Sequence, residues 1–349
     1  MPANIAHMLI AHKAVKTVKG AKNKKLAAFA EMLDDFRKGR DYRAYVNLGS
    51  IGPDLYYYKD LTKVAGDILK EGSAKAKGVT EWAYHLHSHQ PNKFPLKLVE
   101  IVFTDALKEK GKVKLEPDDI KKIAYIAGHL SHIAADQIIH PLVNKIAGPY
   151  YRSGKNREIH RECEAYQDYF LYQEVYRIEQ KSGKKYDFFS QDFHKWADCI
   201  KAKTTRNTED WFRYFLQRGF IETYGVGPTE QEIEDSVDNL LITLRVCKKL
   251  GPYEKAAMEY KEPGRGINFQ KYIEEAKYLD FYKEAVDLTV VYIKTLYKAY
   301  DLLSKGKDFG SRQQRIFLKI VSDADLSSAL QKNILAKASL ELKQCSRFG

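Results

Sequence analysis

Apolar residues recur every three or four positions along most of this chain, as at Leu26, Phe29, Leu33 and Phe36 near the start and Leu279, Tyr282, Val286, Val290 and Ile293 near the end. That spacing is the period of a helix with one face turned to a core, not the alternation of a strand. The pattern therefore predicts an all-α protein built as a multi-helix bundle. Turn-forming residues cluster at 49–53, 72–78, 111–117, 148–154, 183, 225–228 and 263–266, leaving intervals long enough for helices of several turns. No repeat of fixed period and no low-complexity linker interrupts them. Nine of the ten histidines precede residue 161, and only His194 follows. This asymmetry divides the expectation into a first half, 1–180, that assembles the chemistry, and 181–349, helices that complete or extend it, with a boundary near Lys181 to Lys185.

The most informative segment runs from Ile123 to His140. At 100° per residue, His129, His132, Asp136 and His140 fall within a sector roughly 80° wide, provided the helix persists to His140. The remaining positions are mostly Ile, Ala and Leu, the pattern of a helix surrounded by protein. Four polar groups on a buried helix need partners, because unpaired burial costs roughly 2–7 kcal/mol per group. A metal ion satisfies them, since neutral imidazoles and an ionised carboxylate are good zinc ligands. A hydrogen-bonded core network without an ion is the alternative.

Other segments supply company for that stripe. His160 and Glu164 form an i, i+4 pair with Asp168 one turn further on the same face, a pattern that alone would describe a surface pair. Asp54 follows Gly52-Pro53 in a turn, ahead of Tyr56, Tyr57 and Tyr58; alone it would be a turn aspartate or a helix cap. In His85-Leu-His87-Ser-His89 all three imidazoles share a side on a strand, whereas on a helix only His85 and His89 do. One of the three is expected to be a ligand. His7 stands just ahead of an apolar helical run, where a lone histidine would be a helix-start residue.

Composition narrows the setting. The formal net charge is +12, and lysines and arginines are spread along the chain with a mild excess between Lys13 and Lys25. A solvated basic face accounts for that distribution better than a dedicated polyanion site, although an anionic partner would be tolerated. Cys163, Cys199, Cys247 and Cys345 lie far apart with no CxxC pair, which suggests neither a thiolate zinc site nor a dense disulfide framework and suits a reducing compartment. The start, Met-Pro-Ala-Asn-Ile-Ala-His, lacks the pattern of a secretory signal, and no run is long enough to span a bilayer, so the expectation is a cytoplasmic protein.

Five ordered matches carry a family resemblance: His7-Met-Leu-Ile-Ala-His-Lys-Ala, Gly52-Pro-Asp54, the His85 to His89 cluster, Ser131-His-Ile-Ala-Ala-Asp-Gln-Ile-Ile-His140, and His160-x-x-x-Glu164. Over His7 to about Asp168 the chain resembles the zinc-dependent phospholipase C family, including the catalytic domain of glycosylphosphatidylinositol-specific phospholipase D, and more distantly the zinc-dependent single-strand nucleases of the same helical fold. The resemblance implies two or three Zn²⁺ ions. Asp54, one of His85 to His89, His132 and Asp136 would form one site, with Asp136 bridging to an ion bound by His7. His140, His160 and Glu164 would hold the remaining one. Among the clustered histidines His87 is favoured, with His89 next. Phospholipases of this type also use a mature N-terminal tryptophan, and this sequence has none before Trp82, so an incomplete ligand set is expected at His7. The four-residue step from Asp136 to His140 agrees with the phospholipase D relative and is shorter than in the secreted bacterial enzymes.

The function implied is phosphoester hydrolysis, a metal-activated water attacking a phosphodiester with no side-chain nucleophile, and Asp54 orienting or deprotonating that water. The substrate would be a phosphoester, with phospholipid among the candidates. A nuclease or nucleotidase on the same scaffold, aided by the basic charge, competes with it. So does a non-catalytic metal-stabilised binding protein. A di-iron bundle is disfavoured, because paired Glu-x-x-His motifs are missing.

Overall fold

The computed structural model describes residues 4–37, 40–59, 81–106, 113, 115–177, 199–200, 203–204, 207–246, 251–262, 277–327 and 333–344. Thirteen α-helices lie among them. α1 (Asn4–Lys19), α2 (Lys24–Leu33) and α3 (Tyr42–Ile51) are followed by a 3-10 turn, Gly52–Tyr58. Then come α4 (Glu81–Ser88), α5 (Lys93–Ala106), α6 (Pro117–Ala147) and α7 (Gly154–Leu171), with one π-helical turn, Tyr172–Arg177, continuing α7. α8 (Asp210–Tyr224), α9 (Glu230–Val246), α10 (Gly251–Lys261), α11 (Tyr278–Ser304), α12 (Ser311–Ile320) and α13 (Ile334–Gln344) complete the set. The only strand pairing among the described residues is a two-residue antiparallel ladder, Lys203–Thr204 with Asn207–Thr208. The expected all-α class is what the chain adopts. The turns expected at 72–78, 183 and 263–266, the boundary near Lys181 to Lys185, His194, Cys247 and Cys345 fall outside the described residues.

α6 is the axis of the bundle. At 31 residues it is about 46 Å long. Its start is set by Pro117 at the first helical position and by Asp119, whose carboxylate accepts the Glu116 N–H at 3.1 Å. It ends at Gly148, which adopts φ +75°. The helix continues through Pro141, so His140 keeps its place on the stripe. A proline inside a helix costs about 3 kcal/mol, and here the burial of α6 against its neighbours on several sides offsets that. α3 packs along one side of α6 and α11 along another, and α1 lies against both α3 and α11.

The α3–α6 crossing is unusually close because glycines meet there. A Cβ at Gly128 would lie 2.0 Å from the Val46 carbonyl oxygen, and one at Gly49 would lie 2.1 Å from that of Tyr125. Backbone therefore touches backbone, which brings the end of α3 and the following 3-10 turn within reach of the α6 histidines.

Candidate metal centre

Helices from separate parts of the chain deliver the ionisable groups to one place. His7 comes from the first turn of α1, Asp54 from the 3-10 turn, His87 from α4, His132, Asp136 and His140 from α6, and His160 and Glu164 from α7. All eight are buried. Three groups, the first two sharing His132, each have ligand atoms within 4.8 Å of one another: His7, His132 and Asp136; Asp54, His87 and His132; and His140, His160 and Glu164. Asp136 lies at the junction. Its Oδ1 is 3.4 Å from both His7 Nε2 and His140 Nε2, while Oδ2 is 3.0 Å from His132 Nε2 and 3.6 Å from His87 Nε2. Asp54 Oδ1 is 3.1 Å from His87 Nε2, and Glu164 Oε1 is 3.0 Å from His160 Nε2 and 3.5 Å from His140 Nε2.

The backbone fixes which nitrogen each ring presents. His132 Nδ1 lies 2.9 Å from the Ser50 carbonyl oxygen, His87 Nδ1 2.7 Å from that of Ala83, and His140 Nδ1 2.5 Å from that of Leu326. A carbonyl oxygen only accepts, so each Nδ1 carries the proton and, in a neutral ring, Nε2 is left as a bare lone pair. Two such lone pairs, His87 Nε2 and His132 Nε2, face each other at 3.4 Å. They cannot hydrogen-bond to one another, and the Asp136 Oδ2 beside them has no hydrogen-bond partner despite complete burial. A shared cation resolves this arrangement, and the nitrogen and oxygen donors fit zinc.

Electrostatics without metal show the same need for positive charge. Burial opposes ionisation of His140, yet the Asp136 and Glu164 carboxylates outweigh it and raise its pKa to about 10. Burial also opposes the charged forms of Asp136 and Glu164, and the surrounding imidazoles nevertheless hold both carboxyls well below the usual range. His7 responds in the opposite sense: burial and the neighbouring His132 lower it to about 4, so it presents a neutral ring.

Asp168 anchors the entry of α1 without joining the cluster. Its Oδ1 accepts the Ala6 N–H at 2.7 Å and its Oδ2 accepts the Tyr253 hydroxyl at 2.6 Å. Burial raises its pKa to about 7 in spite of these donors.

Not every residue singled out by the sequence arrives at the centre. His89 lies outside the three groups; it is exposed, with its ring 4.9 Å from Tyr84 and 5.1 Å from His85. α4 is a helix, so of the three clustered histidines only His87 shares the buried face with Leu86 and Ala83. His129 is fully buried two turns before Asp136, packed between Phe94 and Tyr125, and both its ring nitrogens lack hydrogen-bond partners. Burial lowers its pKa, so it behaves as an apolar core ring. His12 is buried in α1 outside the three groups.

A small cavity opens over Asp54, His87, His140, His160 and Glu164. Tyr57, Tyr150 and Tyr151 wall it, with Ser327 at its edge. The Tyr57 and Tyr151 hydroxyls lie 2.8 Å apart, and Tyr150 packs edge-on against His160 at 4.9 Å. Of the three tyrosines after Asp54, Tyr57 lines this cavity, whereas Tyr56 and Tyr58 belong to the core. Tyr150 and Tyr151 were not anticipated; their signal was an aromatic pair directly after Gly148-Pro149 and a few residues before His160. The carbonyls of Ser50, Ala83 and Leu326 carry no sequence signal, because every residue has one.

Fold and site together define an all-helical protein with buried His, Asp and Glu groups that could hold metal ions, beside an aromatic-walled cavity. The family model described as zinc dependent phospholipase C matches residues 6–220, and the chain belongs to that family. No curated protein and no solved structure matched the chain in the same comparisons. Among the described residues no helix is long and apolar enough to cross a membrane.

Proposed function

We propose that this protein hydrolyses a phosphodiester in the manner of a phospholipase C, with zinc held by His7, Asp54, His87, His132, Asp136, His140, His160 and Glu164. One observation carries the reading: the imidazoles of His87 and His132 turn their Nε2 atoms toward each other at 3.4 Å beside two carboxylates, an arrangement that a shared cation satisfies. Zinc, when bound, supplies Lewis acidity toward a phosphoryl oxygen and brings the pKa of water toward ~7.

The chain's own groups do the rest. The three carboxylates are too few to neutralise two or three divalent ions, so the cavity floor attracts an anionic phosphate. Asp54 and Glu164 border the cavity and Asp136 does not; Glu164 Oε1 lies between His160 and His140 at 3.0 and 3.5 Å, and Asp54 is assigned to orient water, accept its proton and return it to the leaving oxygen as the phosphorus–oxygen bond to the alcohol breaks. The products are a phosphomonoester and an alcohol. Tyr57, Tyr150 and Tyr151 contact the apolar or aromatic part of the substrate and exclude bulk water.

The test is metal content per chain together with turnover of a generic phosphodiester, a short-chain phosphatidylcholine and single-stranded DNA. Two or three zinc ions per chain are expected, with phosphodiester hydrolysis that disappears on chelation and returns with zinc. Asp54→Asn should lower kcat by roughly 10²–10⁴-fold. Tightly bound zinc without turnover of any phosphodiester would replace the enzymatic reading with a metal-stabilised binding protein. Preferential cleavage of DNA would favour the nuclease reading, for which the net charge of +12 is suited.

A further inference from the structure

Val321–Ser327, the segment after α12, lies well beyond the family match that ends at residue 220. Nothing in its sequence resembles a ligand motif, yet the backbone of Val321, Ser322, Leu326 and Ser327 is tied to the helices that carry the metal centre and to the turn after α4. The Val321 carbonyl accepts from Asn92 Nδ2 at 2.9 Å, that of Ser322 from Gln137 Nε2 at 3.0 Å, and that of Ser327 from Asn144 Nδ2 at 2.6 Å. Leu326, fully buried, makes two bonds: its N–H donates to the His87 carbonyl at 2.8 Å, and its carbonyl accepts the His140 Nδ1–H at 2.5 Å. One peptide residue thus joins α4 at one group of ligands to a ring of another group.

The segment is itself shaped for this. Asp325 Oδ1 accepts from Ser327 N at 2.8 Å and Ser327 Oγ at 2.6 Å, and from Ser88 Oγ of α4 at 3.3 Å. Tyr292 of α11 donates to Gln137 Oε1 at 2.8 Å and accepts the Ser322 N–H at 3.2 Å, which fixes the near end.

We propose that Val321–Ser327 is a positioning strap that orients His140 and holds His87 in register with it, so that zinc affinity at the His140, His160 and Glu164 group depends on chain outside the family-matched region. The inference rests on the metal-centre reading, not on turnover. A histidine that donates its distal N–H to a fixed carbonyl keeps one tautomer and one ring orientation, and losing such a partner weakens metal binding by about 10–100-fold.

The experiment is a competitive chelator titration of the full-length zinc-loaded protein. Asp325→Ala removes the acceptor that shapes the strap, and Asn144→Leu removes its tie to Ser327. Each should weaken the binding of one zinc ion of the set by about 10–100-fold while the others hold, and Asp325→Asn, which keeps an acceptor oxygen, should restore it. If Asn144→Leu does not fold, Asp325→Ala at its half-buried position gives the same readout. Lowered thermal stability with every zinc affinity within about two-fold of the parent would overturn the proposal and leave the strap a packing element. A parent that binds zinc but hydrolyses nothing would sink the enzymatic reading alone; a parent that binds no zinc would sink both.

Discussion

At the scale of single residues, the centre is governed by protons competing with metal for the same lone pairs. Without metal, the Asp136 and Asp54 carboxylates shift His132 upward against the cost of burial, and His140 keeps its proton with a pKa near 10, set by Asp136 and Glu164 against the same cost. Because this value lies above that of an unfolded histidine, the proton stabilises the zinc-free fold fully below about pH 6.5, and that contribution is lost as pH rises through about 10. Zinc must displace the proton. Between about pH 7 and 9, binding should therefore release at least one proton, and apparent affinity should rise with pH. Calorimetry in two buffers of different ionisation enthalpy reads this directly, and proton-free binding would contradict it. His7, already neutral because burial and His132 hold it near 4, adds nothing to the release.

The candidate ligand residues were legible in the sequence because their types and spacing are unusual: a histidine or carboxylate on each turn of an apolar helix has few bland explanations. What failed was discrimination among neighbours. His129 sits in the same angular sector as His132 and Asp136, yet it ends in the core beside Phe94, since a long helix faces different neighbours at different heights. His89 was carried along by proximity in sequence, although helical geometry alone separates it from His87.

At the scale of elements, the decisive contact is the glycine-mediated crossing of α3 and α6. It places the Ser50 carbonyl against His132 Nδ1 and lets the Gly52–Tyr58 turn bring Asp54 to the site. Gly52 repeats the device, since a Cβ there would lie 2.7 Å from the Tyr125 hydroxyl. Gly128→Ala forces a methyl to within 2.0 Å of the Val46 carbonyl, where neither backbone can yield locally. A stability loss of about 1–3 kcal/mol or more is expected from the overpacking, together with weaker zinc binding because Ser50 shifts away from His132. Denaturant unfolding and a chelator titration measure the two effects. Unchanged stability would mean that the helices separate at little cost. The sequence displayed both glycines but gave no reason to pair them, since a glycine in a helix ordinarily signals only a weak position.

At the scale of the whole molecule, the centre is a cross-link as well as a site. The proposed ligands come from α1, the turn after α3, α4, α6 and α7, and the segment after α12 meets one of them through the Leu326 carbonyl. Metal that binds only the folded arrangement stabilises it by RT ln(1 + [L]/Kd), about 2.7 kcal/mol for each site at a hundredfold excess over Kd. Removing zinc should accordingly lower Tm by several degrees for each ion, with recovery on adding zinc back; calorimetric scans with and without chelator test this. Equal Tm in both states would show that the helices hold the site without help.

The sequence by itself determined the helical class, through an apolar period that any chain of this composition must bury, and the candidates for metal binding, because few residue types ligate zinc and they stand at helical spacing. Tertiary structure alone decided which of them meet, which ring nitrogen each presents and what closes the cavity. Those outcomes depend on helix crossings and on backbone carbonyls of Ser50, Ala83 and Leu326, groups that every residue possesses and that only the folded path of the chain brings into contact with an imidazole.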